Sequence, residues 1–252
     1  MLYIEKTDPP RTYVVKVAEI KSAPSWQKIQ DGNTTAIRNQ FDRLPKPDLR
    51  RTLLADQHYL CAYCMKRIQN EERHTSIEHW YPLSRDKERA LSYDNFLVVC
   101  KGGEDVDGPR SRILCCDASK GDEAELMVNP FDRDMMKLIA YKKDGTIYCR
   151  DSSRFDTGKI NQDINEVLRL NGRVNRRGIR VDTATGLLKG RKDAYEGVLD
   201  HLKRLDKKKQ LTSANLRKDI RKIEQRAVYR EFEGTTLFFL RRKLKELESR
   251  GI

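Results

Sequence analysis

The segment SIEHWYPLS occupies residues 76–84 and is followed by DNFLVVC at residues 94–100 and by CCDASKGD at residues 115–122. The sequence CAYC precedes them at residues 61–64. Together these segments contain an acid–histidine pair, an asparagine before an apolar run, and a Cys-Asp-x-x-Lys-Gly sequence, with cysteines on both sides. Because this order groups metal ligands with acid–base side chains, we expect the fold to be organised around this part of the chain.

The cysteine spacing predicts a structural zinc site. The C-x-x-C spacing of Cys61 and Cys64 lets two thiolates bind one tetrahedral ion, with Zn–S bonds of ~2.3 Å. A second pair is required, and we assign it to Cys100 and Cys116. Cys115 competes with Cys116 for the fourth position, because the two are adjacent. The alternative is that these cysteines are ordinary buried thiols.

Glu78 and His79 are candidates for metal binding and acid–base chemistry. Hydrolysis of a phosphodiester needs a nucleophile in line with the leaving oxygen and a cation that neutralises the developing charge. A carboxylate such as Glu78 suits Mg²⁺ or Mn²⁺. A neutral imidazole such as His79, with an unperturbed pKa of about 6.5, can take a proton from water. An isolated Glu-His pair is usually surface decoration, and the surrounding pattern favours the catalytic interpretation.

Three further polar residues complete the candidate site. Asn95 can brace the loop that carries His79 and orient its ring, or it can form an ordinary turn before a strand. Asp117 can bind the same cation as Glu78, or it can cap the helix that it opens. Lys120, one helical turn later, can hold a phosphate, or it can be a solvated helix lysine.

The pattern around these residues predicts two strands and a helix, and then a β-hairpin. Two strand-like runs on either side of Asp144-Gly145 indicate the hairpin. Glycine, proline and a lack of apolar periodicity indicate a loop before the helix. The predicted elements are strands at residues 75–79 and 96–100, a loop at 101–112, a helix at 117–126, and hairpin strands at 137–141 and 146–150.

Helices are expected to dominate the remainder, so the predicted fold class is α+β, mainly helical. A strand-like Tyr13-Val14-Val15 run predicts an arm or edge strand within residues 12–20, with a frayed terminus as an equal alternative. Ser213 is the expected N-cap of a late helix. The predicted helices cover residues 26–44, 49–59, 160–168, 195–205, 213–227 and 237–247. We divide the chain into an N-terminal arm and helix (residues 1–50), a core with its hairpin (51–150) and a basic helical region (151–252).

The charge of the chain favours a polyanionic partner. The 252 residues carry a formal charge of +13, and residues 151–252 hold 26 Lys and Arg against 15 Asp and Glu, a net charge of +11. Nucleic acid is the commonest partner of such a region. A solvated basic surface is the alternative.

Hydropathy predicts a cytoplasmic protein without a membrane segment. No stretch approaches the roughly 18–20 apolar residues that a membrane span requires, and residues 1–6 lack the apolar region of a signal peptide. The six cysteines should then be reduced, so their paired spacing indicates metal binding rather than disulfides.

Residues 61–122 resemble the HNH endonuclease family, whose motif runs C-x-x-C, Asp-His-x-x-Pro, Asn-Leu and Cys-x-x-Cys-Asn-x-x-Lys-Gly. The resemblance implies a ββα-metal core in which Glu78 and Asp117 bind the catalytic divalent ion. It also implies that His79 activates water and that Asn95 has a structural role. Glu78 replaces the commoner Asp, Asp117 replaces Asn or His, and residues 101–114 form a longer connection than in compact members.

Within that family, the chain resembles the HNH proteins of Septu and retron anti-phage operons. The segments that carry this resemblance are LCAYC at 60–64, IEHWYP at 77–82, NP at 129–130 and VLRLN at 167–171. It implies an ABC-type ATPase partner and an activity restrained until phage infection. The ATP site would belong to that partner, because this chain has no Walker-type Gly-x-x-x-x-Gly-Lys.

The sequence therefore predicts a metal-dependent HNH endonuclease that uses Mg²⁺ or Mn²⁺ for catalysis and Zn²⁺ for structure. DNA is favoured over RNA as its target. Two alternatives stay open, an RNA-cleaving HNH effector and a non-catalytic, zinc-stabilised nucleic-acid-binding adaptor. The cysteine pairs and the basic region suit all three, whereas Glu78, His79 and Asp117 together suit only a nuclease.

Overall fold

Helices surround small two-stranded antiparallel sheets in the computed structural model, which describes residues 1–106, 112–122 and 124–251. The predicted class, α+β and mainly helical, is confirmed. Gly108 and Pro109 of the predicted loop, and Glu123 of the predicted helix, lie outside the described residues. The strands are β1 (Thr75–His79), β2 (Phe96–Cys100), β3 (Ile139–Tyr141), β4 (Ile147–Cys149), β5 (Arg173–Val174) and β6 (Arg180–Val181). The helices are α1 (Arg11–Ser22), α2 (Pro24–Gln27), α3 (Thr34–Phe41), α4 (Lys46–Asp56), α5 (Asp117–Lys120), α6 (Arg133–Met136), α7 (Thr157–Gln162), α8 (Leu187–Lys207), α9 (Ser213–Glu224) and α10 (Glu233–Ser249).

The centre of the fold is the antiparallel pair of β1 and β2, in which His79 lies opposite Phe96. The first four residues of β2 are fully buried, so both faces of this strand contact protein. Gln57 occupies the outer edge of β2. Its side-chain amide donates to the Val98 carbonyl at 2.7 Å, and its side-chain carbonyl accepts from the Val98 N–H at 2.8 Å. A side chain thus takes the place of a third strand.

The predicted hairpin is formed by β3 and β4, with Ile139 opposite Cys149. Its turn contains Gly145, which has φ of +88°. Helix α8 crosses this turn closely, since a Cβ atom added to Gly145 would lie 2.1 Å from the Leu188 carbonyl oxygen. Arg191 of α8 is fully buried and donates to the Gly145 carbonyl at 2.5 Å. The hairpin and α8 are therefore held together by backbone groups.

The edge strand predicted within residues 12–20 is wrong, because this segment belongs to α1. Tyr13 is buried, and its hydroxyl donates to the Leu91 carbonyl at 2.6 Å. Val14 and Val15, which suggested a strand, are exposed. The packing of one helical face around Tyr13 outweighs the weak β preference of two solvent-facing valines.

The single helix predicted over residues 26–44 is interrupted between α2 and α3. The Asn33 side chain accepts a hydrogen bond from the Ala36 N–H at 3.2 Å and caps α3. Just before it, Gly32 has φ of +84° and donates its N–H to the Ser84 carbonyl at 2.9 Å. The segment between α2 and α3 therefore contacts the loop that follows β1 through this hydrogen bond.

Other helix boundaries also differ from the predicted ones. α4 lies earlier than the predicted residues 49–59, because two residues with positive φ follow it. α5 ends at Lys120, since Gly121 adopts φ of +69°, and the predicted continuation to Leu126 is wrong. The Thr212 side chain, rather than Ser213, accepts the N-cap hydrogen bond of α9.

The C-terminal region is helical, as predicted. α7 continues directly into a π-helical turn, Asp163–Val167, and α8, α9 and α10 pack against one another. Apolar residues such as Leu216, Ile220 and Leu240 are buried between them. Among the described residues, every helix is too short or too polar to cross a membrane.

Replacing Gly145 with alanine is expected to destabilise the protein more than the same change at Gly32. Both positions have positive φ, so each alanine adds about 1–2 kcal/mol of backbone strain. At Gly145 the new Cβ also meets the Leu188 carbonyl, whereas nothing lies within 4 Å at Gly32. Urea unfolding should show a loss of at least ~3 kcal/mol for Gly145→Ala. Equal losses in the two variants would show that α8 does not constrain the turn.

Candidate metal centre and adjoining cleft

Four cysteines from three separate segments meet in one cluster. The Sγ atoms that lie within 4.8 Å of one another belong to Cys61, Cys64, Cys100 and Cys116. The Cys61–Cys116 separation is 3.9 Å and the Cys64–Cys100 separation is 3.7 Å. A tetrahedral zinc ion with Zn–S bonds of ~2.3 Å requires S–S separations of roughly 3.8 Å. The cluster therefore has the dimensions to hold a metal ion such as zinc.

Local backbone geometry directs these cysteines toward a common point. The Cys61 N–H donates to the Lys66 carbonyl at 2.8 Å, and the Met65 N–H donates to the Cys61 carbonyl at 3.0 Å. Met65 has φ of +66°, which completes this tight turn. The Cys100 N–H lies 3.4 Å from the Cys61 sulfur, a contact that stabilises a thiolate ligand. Cys116 has φ of +55° immediately before α5.

Cys116, and not Cys115, belongs to the cluster. The Cys115 sulfur instead lies 3.6 Å from the Gly102 carbonyl oxygen and 3.6 Å from the Thr185 hydroxyl. The Cys115 thiol also contacts Cys100 and Cys116. The four sulfurs that all lie within 4.8 Å of one another nevertheless include that of Cys116 and not that of Cys115, which favours Cys116 as the fourth ligand. The close sulfur separations also favour a metal site over a set of unrelated buried thiols.

A cleft of about 220 Å³ adjoins this cluster. Glu78 and His79 reach the cleft from the end of β1, and Asp117 and Lys120 reach it from α5. Because Asp117 directly follows Cys116, the segment that completes the cluster also supplies a wall of the cleft. The candidate residues of β1 and α5, which are far apart in sequence, are therefore brought together.

Two of the five described acids that line the cleft, Glu78 and Asp117, are neighbours. The Asp117 side chain is in hydrogen-bonding contact with that of Glu78, and the Lys120 Nζ atom lies 2.5 Å from Glu78 Oε1. Burial raises the pKa of Glu78 to about 8, while Lys120 opposes the rise and Asp117 adds to it. A divalent cation shared by the two carboxyl groups would favour their ionised forms. The pair is thus suited to cation binding.

Lys120 is fixed from several sides. Its ammonium also donates to the His79 carbonyl at 3.0 Å, and the side chain is almost completely buried. The helix that carries it is anchored on the π-helical turn, since the Ser119 hydroxyl donates to the Val167 carbonyl at 2.7 Å. Lys120 therefore pairs with Glu78 in this structure, and the predicted contact of Lys120 with a phosphate stays a prediction.

His79 is held in one tautomer by its surroundings. Its Nε2 atom lies 3.0 Å from the Ala90 carbonyl oxygen. Because a carbonyl only accepts, Nε2 carries the proton and Nδ1 keeps a free lone pair. Burial lowers the pKa of His79 to about 4, and the rings of Phe41 and Phe96 pack at 4.6 and 5.1 Å from the imidazole. His79 is therefore neutral at pH 7.

Asn95 binds the loop that supplies the partner of His79. Its side-chain carbonyl accepts from the Tyr81 N–H at 2.7 Å, and its amide donates to the carbonyls of Tyr81 and Arg89 at 2.9 and 3.1 Å. Arg89 immediately precedes Ala90. Asn95 does not line the cleft itself, and its contacts hold the two ends of this loop together.

Arg50 lines the cleft and was not among the sequence candidates. It is 5% exposed, and its Nε atom has no hydrogen-bond partner among the described residues. A buried guanidinium normally meets an acceptor, so Arg50 leaves an unsatisfied donor at the cleft wall. A sequence signal existed, because Arg50, Leu53, Leu54 and Gln57 follow the i, i+3, i+4, i+7 spacing of one helical face.

Comparison with known proteins adds no family assignment. No family model matches this sequence, and no curated protein is significantly similar to it. The interpretation of the cleft therefore depends on its own residues and their geometry.

Purified protein is expected to contain one zinc ion per chain, held by the four clustered cysteines. Cys64→Ser and Cys116→Ser should lose this zinc and several kcal/mol of stability, because the ligands close the core. Cys115→Ser, which changes the neighbouring thiol, should keep both. Elemental analysis together with thermal unfolding tests this expectation. Full zinc content in Cys116→Ser, or its loss in Cys115→Ser, would contradict the assignment.

Proposed function

We propose that this chain is a metal-dependent HNH endonuclease that hydrolyses phosphodiester bonds, with DNA as the favoured target. The observation that carries the proposal is the meeting of Glu78, His79 and Asp117 in one cleft beside the cysteine cluster. Two acids and a neutral imidazole are the groups that metal-assisted hydrolysis requires. The order of these residues along the chain also matches the HNH motif.

Glu78 and Asp117 would hold the catalytic Mg²⁺ or Mn²⁺, which supplies charge stabilisation at the leaving oxygen. Carboxylate oxygens suit these hard cations, and the contact between the two side chains supports their sharing one ion. The Lys120 ammonium, which now pairs with Glu78, would then be released for a phosphate oxygen.

His79 acts as the general base in this proposal. A water oxygen attacks phosphorus, its proton passes to Nδ1 of His79, and the bond from phosphorus to the leaving oxygen breaks. The hydrogen bond from Nε2 to the Ala90 carbonyl keeps the other nitrogen unprotonated. Asn95 is a positioning residue, since it secures the loop that carries this carbonyl.

Cations on the cleft wall would bind the phosphate backbone. Arg50 offers an unsatisfied guanidinium, and the exposed or half-buried Arg38 and Lys101 line the same cleft. A guanidinium binds two phosphate oxygens in a fixed geometry. Arg50 is therefore our candidate for the group that holds the scissile phosphate.

The resemblance to Septu and retron proteins leads us to propose further that the nuclease is the cytoplasmic effector of an anti-phage complex with an ABC-type ATPase. The basic C-terminal helices would dock this partner or contact nucleic acid. An RNA target is the alternative within the same chemistry. A non-catalytic adaptor is less favoured, because it has no use for two adjoining acids beside a neutral imidazole.

His79→Ala is expected to abolish cleavage while preserving the fold and the zinc content. Plasmid DNA and single-stranded RNA are each incubated with the protein and Mg²⁺ or Mn²⁺, with and without any ATPase encoded next to its gene. His201→Ala is the matched control, since His201 pairs with Asp219 on the C-terminal helices. This variant should cleave normally.

Full cleavage by a His79→Ala preparation free of contaminating nuclease would refute the catalytic assignment. Tight nucleic-acid binding without cleavage in either metal, and without a second divalent site, would favour the adaptor instead.

Arg50→Gln is expected to slow cleavage about 100-fold, the loss typical of one transition-state donor. Its free energy of unfolding should be unchanged or higher, because an unpaired buried charge is removed. Arg50→Lys should recover part of the rate, since it keeps the charge but not the planar fork. Arg51→Gln is the control, because Arg51 is exposed on the same helix and pairs with Asp48. A loss of stability that accompanies the loss of rate would indicate a packing role.

A further inference from the structure

The ribbon formed by β5 and β6 is a basic surface that contains no acidic residue of its own. Its residues 173–181, RVNRRGIRV, are all exposed and contain four arginines and no acid. Arg169 lies just before it and lines the same surface pocket as Arg173 and Arg180. None of these five guanidiniums forms an ion pair with a described residue. Many other surface arginines do so, as in the Arg154–Asp134 pair at 2.5 Å.

Apolar side chains are interleaved with these arginines. Val174 and Ile179 are each 57% exposed and Val181 is 42% exposed. The strand register places Val174 opposite Arg180 and Arg173 opposite Val181. Directly opposed residues share a face of an antiparallel pair, so each face presents an arginine beside a valine. A merely solvated basic loop has no need of such exposed apolar groups.

The ribbon is a fixed projection. The Asn175 side chain accepts from the N–H groups of Arg177 and Ile179 at 3.0 Å each, and this closes the turn. At its base Gly172 approaches the Val181 carbonyl so closely that an added Cβ would lie 2.0 Å from it. A ribbon of this kind is ordered before it meets a partner, which lowers the entropy cost of binding.

Its base is also tied to the cleft. The Cys116 N–H donates to the Leu168 carbonyl at 2.9 Å, and the Ser119 hydroxyl donates to the Val167 carbonyl at 2.7 Å. These contacts connect α5, which carries Asp117, to the segment that leads into the ribbon. The position of the ribbon relative to the cleft is thus set by direct contacts.

We propose that the ribbon inserts into the major groove of a DNA duplex and holds it for cleavage, an inference that rests on the proposed function. The groove of B-DNA, about 12 Å wide, admits a two-stranded ribbon. Arginines would bind the flanking phosphates, and the valines and isoleucine would contact thymine methyl groups. The deep, narrow major groove of A-form RNA excludes such a ribbon, so the shape selects DNA. Glu166, which borders the pocket, accepts a hydrogen bond from the Gln162 side chain at 3.2 Å.

The test measures binding of a short DNA duplex by fluorescence anisotropy over a range of salt concentrations. Full-length protein with His79→Ala is used, and no Mg²⁺ or Mn²⁺ is added, so that binding is separated from cleavage. Changing Arg173, Arg176 and Arg177 to Gln should lower the slope of log Kd against log salt by about 2.7, since each lost phosphate contact removes about 0.9. Changing Val174 and Ile179 to Ser should weaken binding without changing that slope.

The matched control changes Arg11, Lys28 and Lys143 to Gln, which removes the same charge from exposed positions outside the basic region that follows residue 151. It should leave the salt slope unchanged. The inference would be overturned by any of three results. These are a wild-type salt slope in the arginine variant, an equal loss of salt slope in both triple variants, or an RNA duplex that is bound as tightly as DNA. If the wild-type protein never cleaves but the ribbon variant loses DNA binding, the proposed function fails, while the assignment of the ribbon as the DNA-binding element stands.

Discussion

The convergence of four cysteine sulfurs in one cluster is the constraint on which the rest of the site depends. Cys100 ends the strand that pairs with β1, and Cys116 directly precedes α5. A tetrahedral site therefore sets the distance between the end of β1 and the start of α5. Glu78 and Asp117 project from these two elements into the same cleft. The approach of the two acids thus follows from the cysteine geometry, and the hydrogen-bonding contact between their side chains accompanies it.

The protonation and orientation of His79 are set by a separate group of contacts. A buried imidazole between two phenyl rings loses its charged form. The carbonyl of Ala90 then selects which nitrogen keeps the proton, and Asn95 restrains the loop from which that carbonyl projects. The orientation of His79 thus depends on a loop that is close to it in sequence. The meeting of Glu78 and Asp117 depends instead on contacts between segments that are far apart in sequence. Two independent parts of the fold must form before the cleft contains both.

Sequence reasoning succeeded where a residue's partner was implied by its own chemistry. Three local patterns were sufficient for correct predictions: the C-x-x-C spacing, the apolar run of β2 and the Asp-Gly turn. The structure contains the strands, the hairpin and the cysteine cluster that these patterns predict. It failed where a distant contact decided the outcome. The segment that contains Tyr13 and two β-branched valines is helical, and the Tyr13 hydroxyl donates to the distant Leu91 carbonyl. The Lys120–Glu78 pair depends on which elements meet, and no local pattern contains that information. The helical spacing indicates that Arg50 faces inward, but it does not indicate that the Nε atom lacks a partner among the described residues.

The span of the cysteine cluster has a consequence for how the chain matures. Cys61 and Cys116 stand 55 residues apart, and a contact of that separation forms late, after its loop-closure entropy has been overcome. A nascent chain that has released only the C-x-x-C turn and β1 has neither a complete metal site nor its second acid. The cleft is therefore assembled only after the segment around Cys116 has left the ribosome.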